Sequence, residues 1–354
     1  MAPMTETARV AIIGAGLAGL SCARRLNDAG WSPAVFEKSR GPGGRMSTRR
    51  LPDRDDWQCD HGAQYFTATH PDFVTQTAQW LDAGVAAVWQ AKLHVFGPRT
   101  HSHKPAPERY VGIPRMTSPA RELATGLNVM YNVRVTGARR APDGWYVQSE
   151  SGPESGPFDW LILAIPAQQA EALLISLGDT AVSDALLTAC RQIPLQPCWA
   201  LMAELASPLG VAFDAAFVNR DPTSNHAHVL GWMARDSSKP GRPGGERWVL
   251  HASAAWSVEH LEAGSEQVGA AMLEAWAHLL GEPPGVLHWQ LHRWRYARQP
   301  DATAGPGCVM DAQAQMGLCG DWLQGGRVEG AWLSGQQLAH RLLDCTGQRD
   351  TVHL

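Results

Sequence analysis

The 354-residue chain has no excess of basic charge, no long apolar run and almost no lysine. Its formal net charge is -4, which leaves no broad basic face for a polyanion, so nucleic acid is not an expected partner. The longest apolar stretch, around residues 160–167, falls well short of the roughly 20 residues needed to cross a bilayer. Val10–Leu20 is apolar after an arginine, but Glu6 precedes it and glycines interrupt it, so it reads as a strand entering a helix rather than a leader. No membrane partner is expected. The cysteines (Cys22, Cys59, Cys190, Cys198, Cys308, Cys319 and Cys345) are odd in number, scattered and without a C-x-x-C pair, which excludes a disulfide scaffold and predicts reduced thiols in a soluble, cytoplasmic protein. No G-x-S-x-G elbow supports hydrolysis. The only lysines are Lys38, Lys92, Lys104 and Lys239, and none falls in a convincing core strand.

What is present is a globular composition, 44% hydrophobic and 18% charged, in a chain long enough for two domains. Arg9–Ile13 reads as a buried strand and is followed by a Gly14-Ala15-Gly16-Leu17-Ala18-Gly19 turn. A helix then runs through Asn27, stopped by Gly30, and Pro33–Phe36 is a second strand. Gly41–Arg50 reads as a loop, Asp53–Asp56 as polar and Asp72–Val85 as a helix, with a Pro- and His-rich loop at Gly97–Glu108. Further strands are expected at Val129–Val135, Gly144–Ser149 and Trp160–Ile165, then at Trp199–Leu205, Val229–Met233 and Trp248–Ser253. Helices are expected at Ala170–Leu177, Glu266–Leu280 and Gly330–Leu343, and Ser237–Glu246 reads as a surface loop. His94, His101 and His103 have no acidic or cysteine partner in sequence, so they read as solvated histidines and no metal site is expected.

The glycine turn carries the first chemistry. Gly14 permits the tight turn, Gly16 admits a pyrophosphate to the backbone, and Gly19 lets the helix pack on the strand, while free N–H groups at the helix start face the anion. Ala15 and Ala18 lie in the same turn, and Glu37 with Lys38 ends the next strand, where a carboxylate accepts from ribose hydroxyls. This turn suits NAD and FAD equally. Gly43-Gly44-Arg45 resembles the flavin-binding signature of the amine oxidase, desaturase and hydroxylase superfamily, which implies that Gly44 and Arg45 contact FAD. The same resemblance implies that Asp321, in Cys319-Gly320-Asp321, holds the ribitol, with Arg327 and Val328 at the start of the helix that faces the flavin; a plain capping role for Asp321 stays open. It also implies backbone contacts from Val135 to the adenine.

Three further segments narrow the resemblance. Asp60-His61-Gly62-Ala63-Gln64-Tyr65-Phe66-Thr67, His292–Arg298, and Gly320-Asp321-Trp322 with Gly326–Gly335 together resemble bacterial renalases over nearly the whole chain. That likeness implies an α/β fold of the hydroxybenzoate hydroxylase type. A discontinuous Rossmann-type FAD-binding domain (1–70, 115–167 and 290–354) is joined to a second, α+β substrate domain (71–114 and 168–289). It implies a non-covalent FAD enzyme that oxidises 2- or 6-dihydro isomers of NAD(P) by hydride transfer to flavin N5. The products are NAD(P)⁺ and, with dioxygen, hydrogen peroxide, and no residue is expected to act as a general base. Gln64 and Tyr65 are expected to touch flavin and substrate. Phe66, Tyr110, Gly112, Trp199, Trp294 and Tyr296 are candidate substrate contacts, core packing being as consistent for each single aromatic. A flavin amine oxidase or desaturase is the enzymatic alternative, and a flavin-binding sensor without turnover is the other. Against the amine oxidase stand Arg327, where that family usually has an aromatic residue, and the want of a suitably placed lysine or tethering cysteine.

Overall fold

A computed structural model of the chain describes residues 7–98, 107–178, 184–220, 228–300 and 305–351. Residues 1–44, 119–195 and 301–354 form one compact unit, and 45–118 with 196–300 form another.

In the first unit, Val10–Ile13 is buried throughout, the pattern of a strand covered on both faces. Gly14, at φ 108°, turns the chain into the helix Leu17–Asp28, and Gly30, at φ 86°, releases it toward the parallel strand Ser32–Glu37. The sheet order is Cys308–Asp311, Met316–Cys319, Trp160–Leu163, Arg9–Ile13, Ser32–Glu37 and Asn128–Tyr131, parallel except for its first pair. The long terminal helix, Val328–Thr351, packs on Leu17–Asp28, with Ser21 Oγ donating to the Trp332 carbonyl at 2.8 Å. The strand expected at Val129–Val135 is broken at Asn132, whose φ of 58° lets Val135 open a separate antiparallel sheet with Gly144–Ser149 and Ser155–Phe158. Helices Ala167–Ser176 and Asp184–Gln192 belong to this unit, although residues 168–289 are expected from sequence in the substrate domain; the first packs on Val135–Ala141 and the second on Cys308–Asp311.

The second unit is built on a six-stranded sheet ordered Val286–Arg298, Gln196–Leu205, Glu246–Ala252, Leu230–Arg235, Ala215–Val218 and Leu93–Phe96. Alternation sends Trp199, Leu201, Ala203, Trp248 and Leu250 into a core with Met272 and Trp276 of the helix Ser265–Leu280. On the other face, Met202 and Val249 pack on Trp57 and Cys59 of the hairpin Thr48–Leu51 and Arg54–Asp60, and Arg54 pairs with Glu204 at 2.7 Å. These contacts tie the hairpin to this unit, so the boundary falls at Gly44 and not at the expected residue 70. The segment Ser237–Glu246 is only partly a surface loop: Gly241, Gly244 and Gly245 are exposed, but the Lys239 and Arg242 side chains are 0% and 1% exposed. No helix among the described residues is long and apolar enough to cross a membrane.

Candidate functional site

The glycine turn of the first unit is built to receive an anion. A Cβ on Gly14 would stand 2.6 Å from the Ala164 carbonyl oxygen, whereas one on Gly16 would meet nothing within 4 Å, so the backbone at Gly16 borders open space. The Ala15 amide donates to Glu37 Oε2 and the Ser39 amide to Oε1, both at 2.8 Å. Two main-chain donors thus orient a carboxylate that is 6% exposed, leaving lone pairs for hydroxyl donors. Gly43, at φ 116°, donates to the Ala15 carbonyl at 2.9 Å and brings exposed Gly44 over Gly16. Lys38 is exposed beyond the strand end, while Ala18 and Gly19 are buried in the first helix. Val133, not Val135, donates to the Glu37 carbonyl, at 2.9 Å; Val135 follows two residues on.

At the same carboxyl edge of the parallel sheet, across the strand Trp160–Leu163 from the glycine turn, Asp321 is 8% exposed in a single helical turn, Asp321–Leu323. Its carbonyl accepts from Gln324 and Gly326, and Trp322 Nε1 donates to the Ile165 carbonyl at 3.1 Å. Arg327 is exposed immediately before Val328, the first residue of the terminal helix. A pyrophosphate-accepting turn, an oriented carboxylate, a Gly-Gly loop and a second helix N-terminus within one unit match the needs of a bound FAD.

The remaining predicted residues lie in the second unit. Arg45 Nη1 donates to the Ala297 carbonyl at 3.1 Å, and the Arg45 carbonyl accepts from Ala63 at 2.8 Å. Gln64 is 7% exposed; its Nε2 donates to the carbonyls of Asp60 and Gly62, and its Oε1 accepts from Lys239 Nζ at 3.3 Å. Both amide donors are therefore spent inside the protein, and only an acceptor position is left for any ligand. Lys239 Nζ also bonds Asp236 Oδ1 at 2.8 Å and Asp60 Oδ2 at 3.2 Å, while Arg242 Nη2 bonds Asp60 Oδ2 at 2.5 Å. Lys239 and Arg242 hold Asp60 well below the usual carboxylate range against its burial, and burial raises Asp236. Lys239 follows the short helical turn Asp236–Ser238 and so lies outside any core strand, as expected, yet its side chain is fully buried. Sequence offered little sign of the cluster, because its carboxylates come from a strand and a short helical turn 176 positions apart.

Phe66 and Trp199 are core residues, the packing alternative left open for each of them. Phe66 is 2% exposed among Phe73, Trp80 and Tyr110, and Trp199 is 3% exposed in the sheet–helix core, its Nε1 donating to the His260 carbonyl. Gly112 is buried, and its carbonyl accepts from Arg242 at 2.8 Å. Tyr110 directs its hydroxyl to Glu108, and Tyr296 is half-buried. Trp294 stacks on His61 with ring centres 5.1 Å apart and donates to the His61 carbonyl at 3.0 Å.

His61 belongs to a group the sequence reading missed. His251 and His292 both pair with Ala200 across adjacent strands, so a small residue separates two imidazoles on one sheet face, and His61 meets His292 edge-on at 4.8 Å. Burial first, then His292, pushes His61 down to about 3; burial lowers His251 and His292 to about 4. All three are neutral at pH 7. Tyr65, half-buried, lies beside Trp89 and Trp232 at 6.3 and 5.7 Å, with the Arg109 guanidinium 5.3 Å from its ring centre. His94 stacks on Phe213, while His101 and His103 fall outside the described residues. An open groove of about 560 Å³ lined by Arg49, Ser265, Glu266, Trp289, Gln290 and Leu291 takes in none of the predicted residues.

Comparison with known proteins agrees with this geometry. Residues 12–79 match the NAD(P)-binding Rossmann-like domain and residues 92–343 the flavin containing amine oxidoreductase family. Renalase of Mus musculus is 23% identical over 325 residues, covering 88% of this chain and 89% of its own. A 15-cis-phytoene desaturase of Synechococcus elongatus is 33% identical over 120 residues, 34% of this chain and 24% of its own. The structure of a wild-type putrescine oxidase bound to putrescine superposes with a TM-score of 0.67 at 14% identity, covering 96% of this chain and all of that one, a likeness of fold. The chain belongs to the flavin-containing amine oxidoreductase family and is a flavoprotein oxidoreductase that binds FAD non-covalently.

Proposed function

We propose that the protein is an FAD-dependent oxidase of isomeric dihydro-NAD(P), the 2- or 6-dihydro forms, releasing NAD(P)⁺. The observation that carries this reading is Arg327. It stands exposed at the start of the terminal helix, six residues after Asp321, and no carboxylate pairs with it among the described residues. A lone guanidinium there repels a protonated amine and attracts a phosphate-bearing substrate. Lys239 does not revive the amine oxidase reading, since its three N–H groups are taken by Asp60, Asp236 and Gln64. The buried histidines are likewise poor bases, at about 3 to 4, too weak to deprotonate an ammonium ion.

FAD, when bound, takes up hydride at N5 and passes two electrons to dioxygen, giving hydrogen peroxide. In this assignment Glu37 accepts from the adenosine ribose, the amides that open the first helix face the pyrophosphate, Asp321 holds the ribitol, and the amides at Val328 favour negative charge nearby. Hydride loss restores the aromatic pyridinium, so the substrate supplies the driving force and no protein base is needed. Mouse renalase, similar over most of both chains, supports the same reading. Anaerobic mixing with borohydride-reduced NAD(P), which contains these isomers, should bleach the flavin band. Failure with the isomers and bleaching by an amine would overturn the proposal.

A further inference from the structure

We propose that Arg109, with Tyr65 and Trp232, forms a subsite for a phosphate group of a nucleotide substrate. The subsite rests on the nucleotide reading above and deepens it by naming the group recognised. Arg109 Nε is buried and has no hydrogen-bond partner. Elsewhere in the same unit arginines are committed: Arg54 and Arg247 to Glu204, Arg235 to Asp214, Arg242 to Asp60, and Arg293 and Arg295 to Glu262. Among the described residues no carboxylate pairs with Arg109, and neighbouring Glu108 accepts from Tyr110 instead. What Arg109 has is an aromatic ring, Tyr65, 5.3 Å from its guanidinium carbon.

A second donor beside that ring is also unsatisfied. Trp232 is 8% exposed, and its Nε1 is buried without a partner, its ring 5.7 Å from Tyr65. A buried polar donor left unpaired costs about 1–3 kcal/mol, and a charged one more. Two such donors around one half-buried ring mark a place where the acceptor arrives with a ligand. The planar guanidinium fork fits an oxyanion, and half-buried Tyr65, backed by the buried rings of Trp89 and Trp232, is the aromatic group beside it that suits the flat ring of a nucleotide. A phosphate ester of a heterocyclic nucleoside meets both demands.

The test titrates oxidised holoenzyme with nicotinamide mononucleotide and with nicotinamide riboside, which lacks the phosphate, following tryptophan fluorescence. The mononucleotide is expected to bind at least 10-fold more tightly. Arg109→Met should weaken the mononucleotide about 10- to 100-fold, the range for loss of a charge-assisted hydrogen bond, and leave the riboside within 2-fold. Should Arg109→Met give no folded holoenzyme, Arg109→Lys decides: a point charge without the fork is expected to weaken the mononucleotide several-fold and spare the riboside. Equal binding of the two ligands by the wild type, or discrimination retained in the variant, overturns the subsite. Anaerobic bleaching by the dihydro isomers is read in parallel. Arg109-dependent discrimination without bleaching keeps the subsite and removes the proposed reaction, and bleaching with discrimination unaffected by Arg109→Met does the reverse.

Discussion

Replacing Lys239 by Met tests whether the buried charge cluster holds the Asp60–Tyr65 segment in place. The side chains of Asp60, Asp236, Lys239 and Arg242 are each no more than 1% exposed, two carboxylates balanced by two cations. Lys239→Met leaves Asp236 with the Asp60 amide at 3.2 Å and Arg242 no nearer than 4.0 Å, and deprives Gln64 Oε1 of its donor. Removing one partner of a buried ion pair costs about 3–5 kcal/mol, because the other charge stays behind without compensation. At roughly 2 °C per kcal/mol for a chain of this size, the holoprotein should melt about 6–10 °C lower. Adding Asp236→Asn restores the charge balance, so the double variant should recover part of the loss in urea and thermal unfolding at pH 7. A loss below about 1 kcal/mol, or a double variant no more stable than the single one, would refute the reasoning.

Glu37→Gln, which removes the carboxylate held by the Ala15 and Ser39 amides, should weaken FAD roughly 10- to 100-fold, measured by flavin fluorescence; unchanged affinity would remove Glu37 from the site. His61 is held neutral by burial, its pKa down at about 3 against about 6.5 when unfolded. Below pH 6.5 the unfolded chain therefore binds a proton that the folded chain refuses, so this stability is complete above about pH 7 and is lost as pH falls toward 3. The loss is about 2 kcal/mol at pH 5, and His61→Gln should show a correspondingly shallower fall in urea midpoint between pH 7 and 5. Arg327→Phe should raise the KM for phosphate-bearing isomers at least 10-fold in steady-state oxygen uptake, and an unchanged KM would count against its proposed role.

The nucleotide-binding half of the fold was legible because each of its signals is local. A buried strand, a glycine turn, a helix closed by Gly30 and a strand ending in Glu37 all lie within one short stretch. The hairpin Thr48–Asp60 was not, since its arginines and aspartates read as a polar loop and only Trp57 and Cys59 carry the buried alternation. The long strand Val286–Arg298 was read only as a motif, because it is mostly half-buried and carries Arg293 and Arg295 toward Glu262 among its aromatics. Lys239 and Arg242 read as surface residues in a Gly- and Pro-rich segment. Their burial depends on Asp60, which reaches them only through the tertiary fold. Phe66 and Trp199 illustrate the converse: an aromatic residue in a suggestive motif carries no mark of which face of its strand or loop is covered.

The central claim is the substrate, and product analysis under air tests it most directly. With purified 6-dihydro-NAD(P), the holoenzyme is predicted to give one NAD(P)⁺ and one hydrogen peroxide for each isomer consumed. Persistence of the isomers, with peroxide formed only when an amine is supplied, would contradict the account.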